Sequence, residues 1–211
     1  TMQLMPVLAA LHRRSPLEHV TVATYQSVSG TGQKAIDALR EQSTAVLAGE
    51  QPPPGVYPHR IAFNVLPQVE TFPEGGDYTT EELKMVAETR KILDPDIQLT
   101  ATCVRVPVFV GHSEAVNVEF ERPISEDEAR ALLAAEPGIA LVDDPAGHAY
   151  PMAIDAEGRE GVLVGRIRRD LGDPNALALW VVADNLRKGA ASNAVDIADL
   201  LVRESLLRSA A

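Results

Sequence analysis

From Leu99 onward apolar and polar side chains alternate, placing Cys103 and Arg105 on one face of a strand and Thr102, Val104 and Val106 on the other. Alternation and β-branched residues predict a strand over residues 19–28 and another over 115–121, the latter antiparallel to the Arg105 strand. Further strands are expected over 139–142, 161–169 and 176–183. Residues 60–72 are apolar but interrupted by Pro67, which predicts a short strand leading into irregular chain. Three- and four-residue steps of Leu4, Met5, Leu8 and Leu11 predict an amphipathic helix over residues 1–14. A second helix runs to about Gly49 from the glycine-rich stretch at residues 29–35. Thr79 with Glu82 three residues later forms a capping box for a helix to about Leu93. Ser125 opens another, with an acidic first turn, over 125–135. The last is expected from about Ala191 to Leu207, and its Val195, Ala198, Leu201 and Leu207 need a partner surface. Strands and helices mix without strict βαβ alternation. This indicates an α+β fold: a mixed, largely antiparallel sheet with helices packed on one face.

Composition narrows the classes of function. Thirty acidic against nineteen basic residues give a net charge of −11, which opposes binding to nucleic acid or anionic lipid. No apolar run has membrane-spanning length, and no amino-terminal stretch has the order of a signal peptide. One cysteine, Cys103, excludes an internal disulfide framework and fits a reducing cytoplasm. Cysteine and histidine do not cluster at ligand spacing, so no metal site is expected. The chain starts at Thr1 rather than methionine, and we expect it to be a fragment.

The candidate chemistry gathers on the alternating stretch and its continuation. A guanidinium fixed on a strand, Arg105, is suited to gripping a carboxylate through two parallel hydrogen bonds. Gly111 allows a bend, and His112 follows with a ring able to move protons near neutral pH. By composition alone, an exposed arginine on an edge strand and a loop histidine are the simpler explanation of these residues. Gly30-x-Gly32-x-x-Ala35 between a strand and a helix imitates the dinucleotide fingerprint, and Glu50 stands near the ribose-acid position. The loop Gln51-Pro-Pro-Pro-Gly55 follows where a second buried strand is required, so these glycines are expected to form a turn that admits a ligand closely. Glu81 and Lys84, three apart on the capped helix, share a face; a surface ion pair is the plain alternative.

Several segments, in order and over nearly the whole chain, together carry a resemblance. They are Thr1-Met-Gln3, Thr24-Tyr-Gln-Ser-Val-Ser-Gly30, Ile61-Ala-Phe-Asn64 with Pro67-Gln68, Glu81-Glu-Leu-Lys84, Ala101-Thr-Cys-Val-Arg105, His112-Ser-Glu114, Val164-Gly-Arg-Ile-Arg-Arg-Asp170 and Asp184-Asn-Leu-Arg-Lys-Gly-Ala190. The chain resembles the carboxy-terminal catalytic and dimerisation domain of the aspartate-semialdehyde dehydrogenase family. That implies a glyceraldehyde-phosphate-dehydrogenase-like carboxy-terminal domain and NADP-dependent, phosphorylating oxidation of L-aspartate 4-semialdehyde to L-4-aspartyl phosphate through a cysteine thioester. The pathway implied is lysine, threonine and methionine biosynthesis.

The resemblance also implies roles. His112 is the acid/base, taking the proton of the hemithioacetal hydroxyl in the oxidative direction. Arg105 grips the substrate carboxylate, Gln26 orients the substrate, Glu81 meets its ammonium, and Lys84 helps bind phosphate. Ser29, Gly30 and Asn185 lie near the nicotinamide of NADP. The nucleophilic cysteine is expected two residues before Thr1, and Cys103 is a packing residue. Residues 1–187 form the substrate-binding and dimerisation domain, while 188–211 pack back on an NADP-binding domain outside the chain. The expected partners are the small-molecule substrate, phosphate and a second copy in a homodimer, in the cytoplasm, with this chain alone inactive. The alternatives are a non-catalytic paralogue serving as a dimerisation module, and an N-acetyl-γ-glutamyl-phosphate reductase. The Glu81/Lys84 pair and Thr24-Tyr-Gln26 match the aspartate enzyme better than that reductase.

Overall fold

A computed structural model describes residues 1–204 and Leu206. Its elements are helix α1 (Leu4–His12), strand β1 (Leu17–Gln26), helices α2 (Gln33–Leu47) and α3 (Thr80–Ile92), strands β2 (Gln98–Arg105) and β3 (His112–Phe120), helix α4 (Glu126–Ala135), strand β4 (Ile139–Leu141), the single turn α5 (Ala153–Ala156), strands β5 (Val162–Arg169) and β6 (Ala176–Ala183), and helix α6 (Ser192–Arg203). The six strands form one sheet in the order β2-β1-β3-β6-β5-β4. β1 is parallel to β2 and β4 to β5, while β1/β3, β3/β6 and β5/β6 are antiparallel. Among the described residues no helix is long and apolar enough to cross a membrane.

The alternation expected from the sequence sets the two faces of this sheet. Val20, Val22, Leu99, Ala101, Cys103, Val116, Val118, Leu177, Leu179 and Val181 point to one side and bury against Leu4, Leu8 and Leu11 of α1, Met85 of α3 and Leu133 of α4. Each such side chain, when fully buried, stabilises the fold by roughly 1.5–3 kcal/mol before chain entropy is counted. The opposite face is open: Thr21, Ala23, Ala115, Asn117, Ala178 and Trp180 line a shallow, mainly apolar groove along its middle. Helices α1, α3 and α4 cover one face, as expected, while the single turn α5 sets Ala156 against Leu163 and Val182 at one end of the other.

Two local expectations differ from the structure. Residues 60–72 form no strand; their one sheet-like contact is an isolated bridge in which Leu66 and Arg105 exchange both backbone hydrogen bonds, at 2.9 and 2.8 Å. Pro67 has no N–H with which to extend that pairing. The strand after Arg105 is antiparallel to it but not its neighbour, because β1 lies between them. Residues 106–111 carry the chain across the end of β1, where Val28 and Ser29 N–H groups donate to the Val108 and Phe109 carbonyls. Leu207, expected on the last helix, lies outside the described residues.

α3 is anchored by its cap. The Thr79 hydroxyl accepts from the Glu82 N–H at 3.3 Å, and the Glu82 carboxylate accepts from the Thr79 N–H at 2.8 Å. The other Glu82 oxygen accepts the Cys103 N–H at 2.8 Å, so the cap also fixes the first turn of α3 to β2. Glu81 and Lys84 are thereby held beside the end of that strand.

Candidate functional site

Register brings the polar residues together. Gln26 pairs with Arg105 across β1/β2, and Thr24 with Cys103 on one side and Glu114 on the other. Arg105, Gln26 and His112 therefore form a row at the sheet's end, above a row of Cys103, Thr24 and Glu114, above apolar Ala101, Val22 and Val116. The outermost row floors an open cleft of about 1070 Å³, lined also by Ser29, Gly30, Glu81, Lys84 and Asn185. Gln26, Ser29, Gly30, Glu81, Lys84, Arg105, His112 and Asn185 all border this one cleft.

Arg105 is buried, 6% exposed, and its Nη1 donates to the Ser27 carbonyl at 2.8 Å. Its Nε has no partner among the described residues. Burial holds its pKa below the usual arginine value, yet a guanidinium stays charged in proteins. A buried cation with an unused donor, over which the Tyr57 ring stands 5.9 Å away, is poised for an anion. Gln26 Nε2 lies 3.5 Å from Glu81 Oε1, and Glu81 also pairs with Lys84. Burial opposes the charge on Lys84, but hydrogen bonding to Glu81 and the charges of Glu81, Glu70 and Glu88 outweigh it and raise its pKa.

His112 is held on its Nδ1 side. The Ser27 N–H donates to Nδ1 at 3.1 Å, and the Ser27 hydroxyl is 3.0 Å from the same atom. Burial first, and the Arg105 charge second, push its pKa down to about 3. Asn185 Oδ1 accepts from Gly111 N–H, Ser29 Oγ and Ser27 Oγ at 3.0, 3.0 and 3.1 Å. This fixes the amide and leaves its Nδ2 as the available donor. The Gly30 Cα lies so near that a Cβ there would stand 3.1 Å from Arg105 Nη1 and 3.3 Å from His112 Nε2. Only glycine leaves the space between those groups free. The turn at residues 28–31 therefore shapes the substrate side of the cleft. β1 and β2 are parallel, but the helix that packs on β2 is α3, while α2 packs in a separate cluster with Val28, Ile61 and Leu66.

Comparison with known proteins places the chain. Residues 8–188 match the family described as semialdehyde dehydrogenase, dimerisation domain. The chain belongs to that semialdehyde dehydrogenase family. It is 51% identical over 209 residues to the aspartate-semialdehyde dehydrogenase of Aquifex aeolicus, spanning 98% of this chain and 61% of that protein. A relative of the same name from Legionella pneumophila is 51% identical over 210 residues, 99% of this chain and 60% of its own. The crystal structure of aspartate semialdehyde dehydrogenase II from Vibrio cholerae superposes with a TM-score of 0.91 at 46% identity, covering 95% of this chain and 59% of that one. A second structure of that enzyme is complexed with ASA. The chain thus spans about 60% of the length of these relatives. The expected family and α+β fold are borne out.

Within this semialdehyde dehydrogenase domain, sequence reasoning assigned no role to three residues that line the same cleft: Thr1, Gln3 and Glu114. Gln3 Nε2 donates to the His112 carbonyl at 3.2 Å, tying the start of α1 to the histidine. Glu114 is 3% exposed, and its Oε2 has no partner among the described residues. Burial raises its pKa. Stability therefore falls as pH rises from the ordinary carboxylate range to the raised folded-state pKa, levels off above it, and is unaffected by this group below that range. The signal for it was in β3: His112, Glu114, Val116, Val118 and Phe120 share a face, so a carboxylate interrupts an apolar row. Cys103 is fully buried with its Sγ 3.6 Å from Met85 Sδ, and burial pushes its thiol up to about 12. Such a thiol packs and does not attack. Among the described residues no group of three His, Cys, Asp or Glu side chains could hold a metal.

Proposed function

We propose that this domain is the substrate-binding half of an NADP-dependent enzyme that oxidises L-aspartate 4-semialdehyde, with phosphate, to L-4-aspartyl phosphate. The observation that carries this reading is the convergence of Arg105, Gln26, His112, Glu81, Lys84 and Asn185 on one cleft. Each charge suits one part of an amino-acid aldehyde. Arg105, with its spare Nε donor, takes the α-carboxylate. Glu81 faces the ammonium, and Gln26, bonded to Glu81, keeps the substrate in line. Lys84, half exposed on the cleft wall, meets phosphate arriving from solvent. His112 serves the oxygen of the reacting carbonyl. The attacking thiolate is not Cys103, whose burial and raised pKa disqualify it.

The cofactor end fits as well. Asn185 has its oxygen filled and its Nδ2 free for a carboxamide oxygen, and Ser29 and bare Gly30 form a floor thin enough for a flat ring. NADP, when bound, would accept the hydride there. α6 has no buried residue, and Val195, Ile197, Leu200 and Val202 are exposed along it. That supports its assignment, within residues 188–211, to packing on an NADP-binding domain, with residues 1–187 holding substrate. The open sheet face supports a homodimer, the relatives' printed name supports a biosynthetic role, and the single cysteine fits a reducing cytoplasm.

Turnover by the complete gene product tests this. NADP reduction is expected with L-aspartate 4-semialdehyde, to depend on phosphate, and to be absent with N-acetylglutamate semialdehyde. Turnover of the second substrate alone would favour the acetylated-glutamyl reductase. Silence on both would favour a non-catalytic dimerisation module.

A further inference from the structure

We propose that the long connection between α2 and α3 is a clamp for Arg105, and that Tyr57 within it is a positioning residue whose ring keeps the guanidinium turned toward the substrate's carboxylate. The inference rests on the function proposed above. It extends that reading to the segment containing Ile61-Ala-Phe-Asn64 and Pro67-Gln68, to which the family resemblance gives no role.

α2 ends at Leu47 and α3 begins at Thr80, and the residues between them form no helix or strand. A connection of that length is ordinarily either functional or loose. This one is fastened at three points. Gln42, buried on α2, uses both ends of its amide on it. Its Oε1 accepts the Ile61 and Ala62 N–H groups at 3.1 and 3.4 Å, and its Nε2 donates to the Pro53 carbonyl at 3.0 Å. Ile61 and Ala62 are thereby buried in the cluster with Val28, Ala35 and Leu39. Further on, Leu66 exchanges both backbone hydrogen bonds with Arg105 itself. Between Pro53 and Ile61 the Tyr57 hydroxyl donates to Thr31 Oγ1 at 2.9 Å, beside Gly30.

Tyr57 is the part of the clamp that reaches the site. Arg105 Cζ stands over its ring, 5.9 Å from the centre, and both residues line the cleft. The guanidinium has little else to fix its plane. Among the described residues its one hydrogen bond runs from Nη1 to the Ser27 carbonyl, and a group tied through one nitrogen can turn about that bond. A ring against its face stops the turning and leaves the Nε edge for a carboxylate. The separation is near the outer reach of a cation–π contact, so the ring orients and covers more than it attracts. Covering matters too, because water kept from that face screens the ion pair less.

Kinetics of the complete gene product with Tyr57→Leu and Tyr57→Phe test this. Leucine keeps an apolar side chain against the Val28 cluster but has no flat face. Phenylalanine keeps the face and loses only the bond to Thr31. Tyr57→Leu is expected to raise KM for L-aspartate 4-semialdehyde about tenfold, with kcat and the KM for phosphate near those of the parent. Tyr57→Phe should stay within about threefold of the parent in each constant. Equal rises in KM for the two variants, a loss confined to kcat, or an unchanged KM in Tyr57→Leu would overturn the role. Nuclear magnetic resonance of this chain gives a readout independent of activity. The Arg105 guanidinium N–H signals, assigned by their loss in Arg105→Lys, should lie upfield in the parent and in Tyr57→Phe through the ring current, and move downfield in Tyr57→Leu. Signals that are the same in the parent and in Tyr57→Leu would contradict the clamp. The expected shifts, from a gene product that turns over no semialdehyde, would defeat the proposed function and leave the clamp standing.

Discussion

Arg105→Lys in the complete gene product is expected to lower kcat/KM for L-aspartate 4-semialdehyde by on the order of 10²–10³, chiefly through KM. The substitution keeps the charge and removes the fork. Arg105 is buried, with Nη1 committed to the Ser27 carbonyl and Nε without a partner, so the group offered to a carboxylate is a planar edge. Lysine presents one ammonium on a flexible stem and cannot hold the Ser27 carbonyl and both carboxylate oxygens together. The thermal midpoint should move little by comparison, because a buried cation is removed and replaced by another. Steady-state kinetics beside thermal unfolding separate the two effects. A loss below tenfold would mean that the carboxylate binds elsewhere.

Ala115→Asp is expected to abolish dimerisation while leaving the protomer folded. Ala115 lies opposite Ala23 on β1 and Trp180 on β6, at the middle of the uncovered face, where the Tyr25 ring centre is 5.4 Å from that of Trp180. In the protomer an aspartate there points into water and costs little. In a dimer formed through this face each copy would bury an unpaired charge. At about 3 kcal/mol for each of the two buried charges, association weakens by roughly 10⁴. Sedimentation equilibrium should show dimer for the parent and monomer for the variant, with identical circular dichroism. A variant that remains dimeric at micromolar concentration would move the interface away from this face.

How much of this was legible beforehand follows from the range of the interactions. Thr79 and Glu82 cap α3 three residues apart, and the alternation of β1, β2 and β3 sets which side chains face the helices; both are local and were readable. The order of strands was not, because placing β1 between β2 and β3 depends on how residues 106–111 cross the end of β1. The short strand expected within residues 60–72 failed where Pro67 limits pairing to the single Leu66–Arg105 bridge. Arg105 and His112 stood out by residue type and by resemblance. The groups that hold them did not: the Ser27 N–H, the Gln3 amide and the oxygen of Asn185 act through contacts 74 to 109 residues apart in sequence. Glu114 escaped notice because a carboxylate on a strand is ordinarily solvated, and only the register shows it beneath the histidine.

The central claim is that this cleft holds the amino-acid aldehyde by its two charged ends. A crystal structure of the complete gene product with L-aspartate 4-semialdehyde tests it most directly. The account predicts the α-carboxylate paired with Arg105, the ammonium facing Glu81 and the aldehyde oxygen within hydrogen-bonding distance of His112 Nε2. A substrate bound with its carboxylate away from Arg105, or outside the cleft, would contradict it.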